Sequence, residues 1–159
     1  MKALVIYDSV FGNTGQIALA IGGALGTPDE AGIIQVSKLS AEPWKGMDLL
    51  VVGSPTRGFR PTDALAEFLK SLPPESLNGI RVAAFDTRLA VEDIDSSAVR
   101  FIVKTGGYAA KPIAERLKKA GGDLIVPPEG FFVQDTEGPL KEGELQRAAD
   151  WAKSILAAG

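Results

Sequence analysis

Residues 3–14 limit the folds open to this chain more than any other stretch. Residues 3–7 form an unbroken apolar run, typical of a parallel-sheet strand that is buried on both faces. Small and polar residues follow from Asp8 to Gly15, and apolar residues then recur at helical spacing from Ile17 onward. The order strand, tight loop, helix is that of a βα unit, and it predicts an α/β fold.

The loop at residues 8–15 has the character of an anion site. Backbone N–H groups converge at the N-terminus of a helix, where the helix dipole favours negative charge. No lysine or arginine occurs between Asp8 and Gly26, so a phosphate bound here needs no basic side chain. The alternative is an ordinary turn in which Asn13 or Thr14 caps the helix, a contribution of ~1 kcal/mol. The loop alone leaves both interpretations open.

Cysteine and histidine are both absent from the sequence. Disulfides, thiolate nucleophiles, cysteine-ligated iron–sulfur clusters, Ser-His-Asp triads and imidazole acid–base catalysis are therefore excluded. Any chemistry is expected to come from a bound cofactor. The sequence accordingly predicts no catalytic side chain and no metal site.

Composition narrows the class of protein further. A chain of 159 residues that is 45% hydrophobic is expected to form one domain over residues 1–159. The net charge of −3 is spread along the chain without a basic run, which argues against a nucleic-acid partner. No apolar run is long enough for a membrane span and no signal-peptide pattern is present, so we expect a soluble, cytoplasmic protein.

The rest of the chain alternates predicted strands with predicted helices. Further strands are predicted at residues 32–37, 48–53 and 80–85, with a last strand at 124–126 and 131–133 that two prolines interrupt. The helical stripes are Leu65, Phe68, Leu69 and Leu72; Ile113, Leu117 and Ala120; and Leu145, Ala148, Ala149, Ala152 and Ile155. A short helical piece is predicted around residues 99–103, and Trp44 is expected to cover the core. Five strands in this order predict a doubly wound sheet, with loops from Asp8, Ser54 and Asp86 opening at its ligand crevice.

The loop after the first strand resembles the phosphate loop of the flavodoxin-like FMN-binding proteins. That loop commonly reads Ser-Thr-Thr-Gly-Asn-Thr in flavodoxins, and residues 9–14 read Ser-Val-Phe-Gly-Asn-Thr. The matching residues are Ser9, Gly12, Asn13 and Thr14. The two hydroxyl residues are replaced by Val10 and Phe11. In this respect the loop looks more like that of flavodoxin-like NAD(P)H:quinone oxidoreductases, which tolerate a bulky residue and an aromatic before the glycine.

The loop after the third strand carries the more specific likeness. Residues 53–59 read Gly-Ser-Pro-Thr-Arg-Gly-Phe, similar to Gly-Thr-Pro-Thr-Arg-Phe-Gly in the same oxidoreductases. The resemblance implies that Pro55, Thr56 and Arg57 line the isoalloxazine and the ribityl chain. The alternatives are a turn into the next helix for Pro55 and Thr56 and a solvated charge for Arg57.

The loop after the fourth strand departs from the family pattern. Flavodoxins usually present a glycine-rich turn with a tyrosine on the outer flavin face, whereas residues 86–93 contain neither glycine nor an aromatic residue. The outer face is then left open, or it is covered by Phe59, which follows Gly58, or by a partner chain. By position, Asp86, Thr87 and Arg88 are expected to meet the pyrimidine edge or the ribityl hydroxyls. The alternative for Asp86 is to cap the next turn.

The resemblance covers essentially the whole chain and implies a flavodoxin-like sheet of five parallel strands in the order 2-1-3-4-5, with FMN as cofactor. Two other protein classes with a similar sheet do not fit. Low-molecular-weight tyrosine phosphatases need a cysteine, and response-regulator receivers need an aspartate where this chain has Gly53 and Ser54.

The expected function is therefore that of an FMN-binding redox protein. It is either an electron carrier or an oxidoreductase that uses NAD(P)H to reduce a quinone-like acceptor. A guanidinium at Arg57 beside the flavin favours two-electron chemistry, because it stabilises negative charge on the reduced ring. The expected partners are a redox protein, or NAD(P)H and a small acceptor, and a homo-oligomer is left open. The alternative, motivated by residues 86–93 and by the two hydroxyls replaced at Val10 and Phe11, is a flavin-free interaction or regulatory module.

Overall fold

The computed structural model describes residues 1–94, 96–98, 101 and 107–159. Its strands and α-helices include β1 Ala3–Tyr7, α1 Asn13–Leu25, β2 Ala31–Gln35, β3 Leu49–Pro55, α2 Asp63–Ser71, β4 Arg81–Leu89, α3 Ala110–Lys119, β5 Asp123–Leu124, β6 Glu129–Val133 and α4 Glu144–Ala158. Short 3-10 turns lie at Val36–Lys38 and Val91–Asp93. The helical piece predicted around residues 99–103 lies outside the described residues, apart from Phe101.

The strands form one parallel sheet in the order β2-β1-β3-β4-β5, and β6 also pairs with β4. This confirms the predicted doubly wound sheet and its order, with a sixth strand added. The start of β4 pairs with β5, since Arg81 lies opposite Asp123, whereas its end pairs with β6, since Phe85 lies opposite Glu129. The prolines at 127 and 128 separate two short strands on one edge, because proline has no N–H to donate to the sheet.

The fourth strand is longer than the sequence predicts. It continues through Asp86 to Leu89, with Asp86 opposite Ser54 of β3 on one side and opposite Gly130 of β6 on the other. The prediction that a loop starts at Asp86 was therefore wrong. The polar residues at this end of the strand are tolerated because their side chains find buried partners, which the sequence pattern does not reveal.

Each face of the sheet carries its own hydrophobic core. Alternate residues of β4 point to opposite faces, so Val82 and Ala84 pack in one cluster and Ala83 and Phe85 in the other. The first cluster holds α2 and α3, with their predicted apolar stripes buried except at the half-buried Leu72. Trp44 closes this cluster as predicted, because it is buried and its ring centroid lies 6.3 Å from that of Phe68.

The second cluster packs α1 and α4 against the other face of the sheet. On α4, the predicted stripe is wrong at Leu145, which is 46% exposed. Trp151, which lies off that stripe, packs against the core instead, with ring centroids 6.2 Å from Phe85 and 5.9 Å from Phe131. The three rings meet at tilted, edge-to-face angles, which suits the quadrupoles of aromatic rings.

Candidate functional site

The N-terminus of α1 is open and keeps its backbone donors free. Within the described residues, the N–H groups of residues 10–14 have no acceptor, and the N-cap residue of α1 is Gly12, which has no side chain. The next amide, that of Gly15, is satisfied, because Ser9 Oγ accepts from its N–H at 3.2 Å. Asn13 and Thr14 do not cap the helix, so that part of the ordinary-turn alternative is wrong. The arrangement leaves a row of N–H groups without acceptors at a helix N-terminus, among the described residues, and this suits an anion.

Gly12 is required by the shape of the backbone rather than by crowding. Its φ is +96°, in the left-handed region that only glycine adopts readily. A Cβ atom added there would meet no protein atom within 4 Å. The space in front of Gly12 is therefore available to a ligand.

The polar side chains that follow Gly12 anchor this loop to the rest of the site. The hydroxyls of Thr14 and Thr87 lie 2.7 Å apart and are buried, which joins α1 to β4. Asn13 Nδ2 donates to the backbone oxygen of Glu137 at 3.1 Å, which joins α1 to the segment after β6. Both side chains therefore hold the loop in place.

A cavity of about 490 Å³ adjoins this N-terminus at the carboxyl ends of the strands. Among the predicted site residues it is lined by Val10, Phe11, Asn13, Thr14, Pro55, Thr56, Arg57, Gly58, Phe59, Thr87 and Arg88. Three predicted site residues do not line the cavity. Ser9 and Gly12 lie in the loop before α1, next to lining residues, and Asp86 lies within β4. Lining residues that the sequence did not single out are Leu89, Ile94, Tyr108, Val133 and Thr136.

Asp86 is buried on the far side of β4 from Thr87. Its carboxylate oxygens accept from Arg88 at 2.6 and 2.7 Å and from the Ala110 N–H at 2.9 Å. Burial raises the pKa of the Asp86 carboxyl, against the opposing effects of the Arg88 guanidinium and the Ala110 N–H. Asp86 thus accepts from the first N–H of α3. It lies inside β4 rather than at the start of a turn, so the alternative that it caps the next turn is wrong, and it does not line the cavity.

Tyr108 supplies an aromatic wall that residues 86–93 lack. Its hydroxyl donates to the backbone oxygen of Leu89 at 3.0 Å, and the guanidinium carbon of Arg88 lies 3.8 Å from its ring centroid. Burial raises the pKa of the Tyr108 hydroxyl. The sequence pattern did not indicate Tyr108, because this residue follows Leu89, the last residue of β4, by 19 positions. The available signal was its position just before α3, where the chain returns to the sheet.

A tight turn at residues 57–60 forms another part of the cavity wall. Arg57 and Arg60 exchange backbone hydrogen bonds of 2.8 and 3.2 Å, and the two residues between them, Gly58 and Phe59, have φ of +55° and +70°. Positive φ at both central positions is the geometry of two-residue hairpin turns. The guanidinium carbon of Arg57 lies 5.5 Å from the ring centroid of Phe11, so the turn reaches the α1 loop.

Thr56 ties this wall to the rest of the site. Its N–H donates to the backbone oxygen of Thr87 at 3.0 Å, and its hydroxyl accepts from the Ala109 N–H at 3.1 Å. Thr56 therefore links β4 to the start of α3, next to Tyr108. Through these two hydrogen bonds of Thr56, the turn at residues 57–60 and Tyr108 are both connected to β4.

Two of the described residues that line the cavity are cationic, Arg57 and Arg88, and none is acidic. The Arg88 guanidinium is paired with the buried Asp86 carboxylate, so Arg57 carries the unpaired charge of the wall among the described residues. The described part of the chain holds no cluster of histidine, cysteine or acidic side chains fit for a metal ion. No helix in that part is long and apolar enough to cross a membrane.

No family model and no curated protein matches this sequence. Solved structures do match, over almost their whole length. Oxidised flavodoxin 2 from Bacillus cereus has a TM-score of 0.77 at 22% identity, with 100% of each chain covered. A flavodoxin from the domain Archaea has a TM-score of 0.72 at 23% identity, covering 99% of this chain and 97% of that one.

A flavodoxin described as WrbA-like, from Agrobacterium tumefaciens, has a TM-score of 0.69 at 17% identity and covers 99% of this chain and 96% of that one. At these identities the comparisons establish the fold. The chain has the flavodoxin-like fold.

Proposed function

We propose that the cavity binds FMN and that the protein transfers electrons through it. One observation carries the proposal. The N–H groups of residues 10–14, which have no acceptor in the described part of the chain, lie beside a cavity with aromatic walls at the carboxyl ends of β1, β3 and β4. This is where ligands of doubly wound sheets bind. The flavodoxins that share the fold support the choice of ligand.

The residues present fit this cofactor. The N–H groups of residues 10–14 would hold the phosphate without a basic side chain. The rings of Phe59 and Tyr108 offer apolar walls for the isoalloxazine, and Thr56 and Arg88 offer polar groups to its edge and to the ribityl chain. A cavity of 490 Å³ also lies in the range of about 300–1,000 Å³ that is usual for ligand sites. When bound, FMN supplies one- and two-electron chemistry that the side chains lack.

Titration of the flavin-free protein with FMN tests the proposal. Gly12→Val should abolish binding. Valine disfavours a φ of +96°, and its side chain would occupy the open space beside Gly12 where the N–H groups of residues 10–14 would hold the phosphate. Gly23→Val is the matched control, since Gly23 lies in the same helix without a positive φ and with open space at its Cβ. Unchanged FMN affinity in a folded Gly12→Val protein would overturn the phosphate site.

We further propose that the protein accepts two electrons at a time and reduces a quinone-like acceptor with NAD(P)H. The Arg57 guanidinium on the cavity wall supports this, because a nearby positive charge stabilises the reduced flavin ring. The assay is oxidation of NADH or NADPH with a soluble quinone. Absence of turnover, together with reduction by a redox protein partner, would instead identify an electron carrier.

A flavin-free interaction module is the second candidate. The observation in its favour is the exposure of Val10 and Phe11, at 50% and 46%, where flavodoxins commonly carry hydroxyls. Exposed apolar side chains at a cavity mouth suit contact with another macromolecule. A purified protein that is colourless and binds no FMN on titration would establish this candidate over the first.

A further inference from the structure

We propose that Arg57 and Arg60 form an anion subsite at the mouth of the cavity, and that the second substrate is a planar aromatic molecule bearing an anionic group. The inference rests on the proposed function, because such a molecule is useful there only if it reaches a bound flavin. It goes further by assigning a charge and a shape to that substrate.

The two arginines are held side by side by the backbone. They exchange both N–H···O hydrogen bonds, at 2.8 and 3.2 Å, so they stand directly opposite each other across the turn. Residues so placed have their Cβ atoms about 5 Å apart and project from the same face. Both side chains are exposed. The turn therefore presents two guanidinium groups to one approaching molecule.

This pairing is unfavourable for stability when the turn is considered alone. Like charges directly opposite each other repel, and neither Arg57 nor Arg60 makes an ion pair with any residue that the structure describes. The chain as a whole is acidic, with 20 aspartates and glutamates against 17 lysines and arginines. A carboxylate opposite either arginine would remove the cost, and the chain places none there among the described residues.

A second local cost falls in the same turn. Phe59 has a φ of +70°, a region that glycine and asparagine adopt readily and that bulky side chains avoid. One four-residue turn therefore contains two locally unfavourable features, the positive φ of Phe59 and the facing like charges of Arg57 and Arg60. Such departures concentrate at sites that bind something, where the ligand repays the cost.

Aromatic rings beside the arginines define the shape of the ligand. The guanidinium carbon of Arg57 lies 5.5 Å from the ring centroid of Phe11, which is 46% exposed, and Phe59 lines the cavity next to it. Guanidinium and phenyl surfaces together suit a flat ring that carries a negative group. The same positive charge also speeds the encounter with an anion.

The phosphate of FMN is the other anion that could meet Arg57. The free N–H groups of residues 10–14 already provide for that phosphate, and Arg60 does not line the cavity. A pair of arginines is therefore better explained by a second molecule. The experiment separates the two sources.

The test is equilibrium binding of anthraquinone-2-sulfonate and of neutral 2-(hydroxymethyl)anthraquinone to the oxidised, FMN-loaded protein, followed by calorimetry. No electron moves, because both the protein and the quinone are oxidised. We expect tighter binding of the sulfonate, by about tenfold, and loss of that preference in Arg57→Gln/Arg60→Gln. Arg116→Gln/Lys118→Gln, which removes two exposed positive charges from α3, is the matched control and should leave the preference unchanged.

The outcomes separate the subsite from the proposed function. Equal affinity for the two quinones in the wild-type protein would overturn the anion subsite and leave FMN binding intact. A double variant that keeps the sulfonate preference but binds FMN more weakly would assign the arginines to the cofactor phosphate, which also overturns the proposal. A wild-type chain that binds no FMN would remove the proposed function itself.

Discussion

Asp86 and Arg88 form a buried, bidentate ion pair on β4, with oxygen–nitrogen distances of 2.6 and 2.7 Å. The Asp86 side chain is fully buried and that of Arg88 is 19% exposed. Breaking such a pair leaves a charge without a partner, so Asp86→Ala should lower the free energy of unfolding by about 3 kcal/mol. Urea denaturation of the flavin-free protein measures it. Lys45→Gln, at an exposed ion pair with Glu42, is the control and should cost less than about 1 kcal/mol.

Removing both partners of this pair should be tolerated far better than removing one. The pKa of Asp86 is raised, which means that desolvation disfavours the carboxylate more than Arg88 and the Ala110 N–H stabilise it. We therefore expect Asp86→Leu/Arg88→Met to recover most of the stability that Asp86→Ala loses. A double variant as unstable as the single one would show that the pair stabilises the fold in its own right.

Glu144 should make the protein lose stability in acid. Burial raises the pKa of this carboxyl, but hydrogen bonds from Arg147 and from the Phe132 N–H lower it more, so the pKa falls below its ordinary 4.5. The folded state therefore holds the proton less tightly than the unfolded state, and the stabilisation is present above pH 4.5 and lost as pH falls through the folded pKa. Glu144→Gln should flatten this acid limb in urea denaturation followed against pH. Asp86, whose pKa is raised, contributes to the dependence of stability on pH with the opposite sign and cannot account for a loss of stability in acid. An acid limb that is unchanged in Glu144→Gln would contradict the role given to Glu144.

The sequence predicted most of the features that local periodicity determines. The buried run of β1, the stripe of α2 and the covering role of Trp44 follow from residue type and spacing, because burial of these side chains depends on their immediate neighbours. The loop motifs also brought most of the cavity wall together, since carboxyl ends of adjacent parallel strands meet at one edge. The resemblance, rather than spacing, supplied the strand order.

The features that the sequence did not predict depend on contacts between distant residues. The burial of Asp86 depends on Arg88 and on the N-terminus of α3, so the residue pattern alone suggested a loop. Tyr108 reaches the cavity only because the chain after β4 returns to Leu89. Trp151 joins the core because Phe85 and Phe131 stand beside it, which helical spacing on α4 cannot show.

Phe59 should affect stability and binding in opposite directions. Glycine relieves a φ of +70°, so Phe59→Gly should leave the flavin-free protein as stable as the wild type or raise its free energy of unfolding by up to ~1 kcal/mol. The same change removes a ring from the cavity wall and should weaken FMN binding about tenfold. Phe132→Gly, at a half-buried strand residue without positive φ, should instead destabilise. A large loss of stability in Phe59→Gly would mean that the ring serves the core.

Tyr108 should contribute to flavin binding through its ring rather than its hydroxyl. Tyr108→Phe keeps the ring beneath the Arg88 guanidinium and loses only the hydrogen bond to Leu89, so FMN affinity should change by less than about tenfold. Tyr108→Ala removes one wall of the cavity and the ring contact with Arg88, and we expect at least about tenfold weaker binding with recovery of flavin fluorescence.

A pH titration adds a control that needs no mutation. Burial raises the pKa of the Tyr108 hydroxyl above its ordinary 10.0, so the ring stays neutral and FMN affinity should not fall through ionisation of this residue up to that pH.

If the Tyr108→Ala and Tyr108→Phe variants bind FMN equally well, the aromatic wall plays no part in holding the flavin. If phenylalanine alone weakens binding as much as alanine does, the hydroxyl and its bond to the Leu89 backbone carry the effect, because the ring is unchanged between tyrosine and phenylalanine.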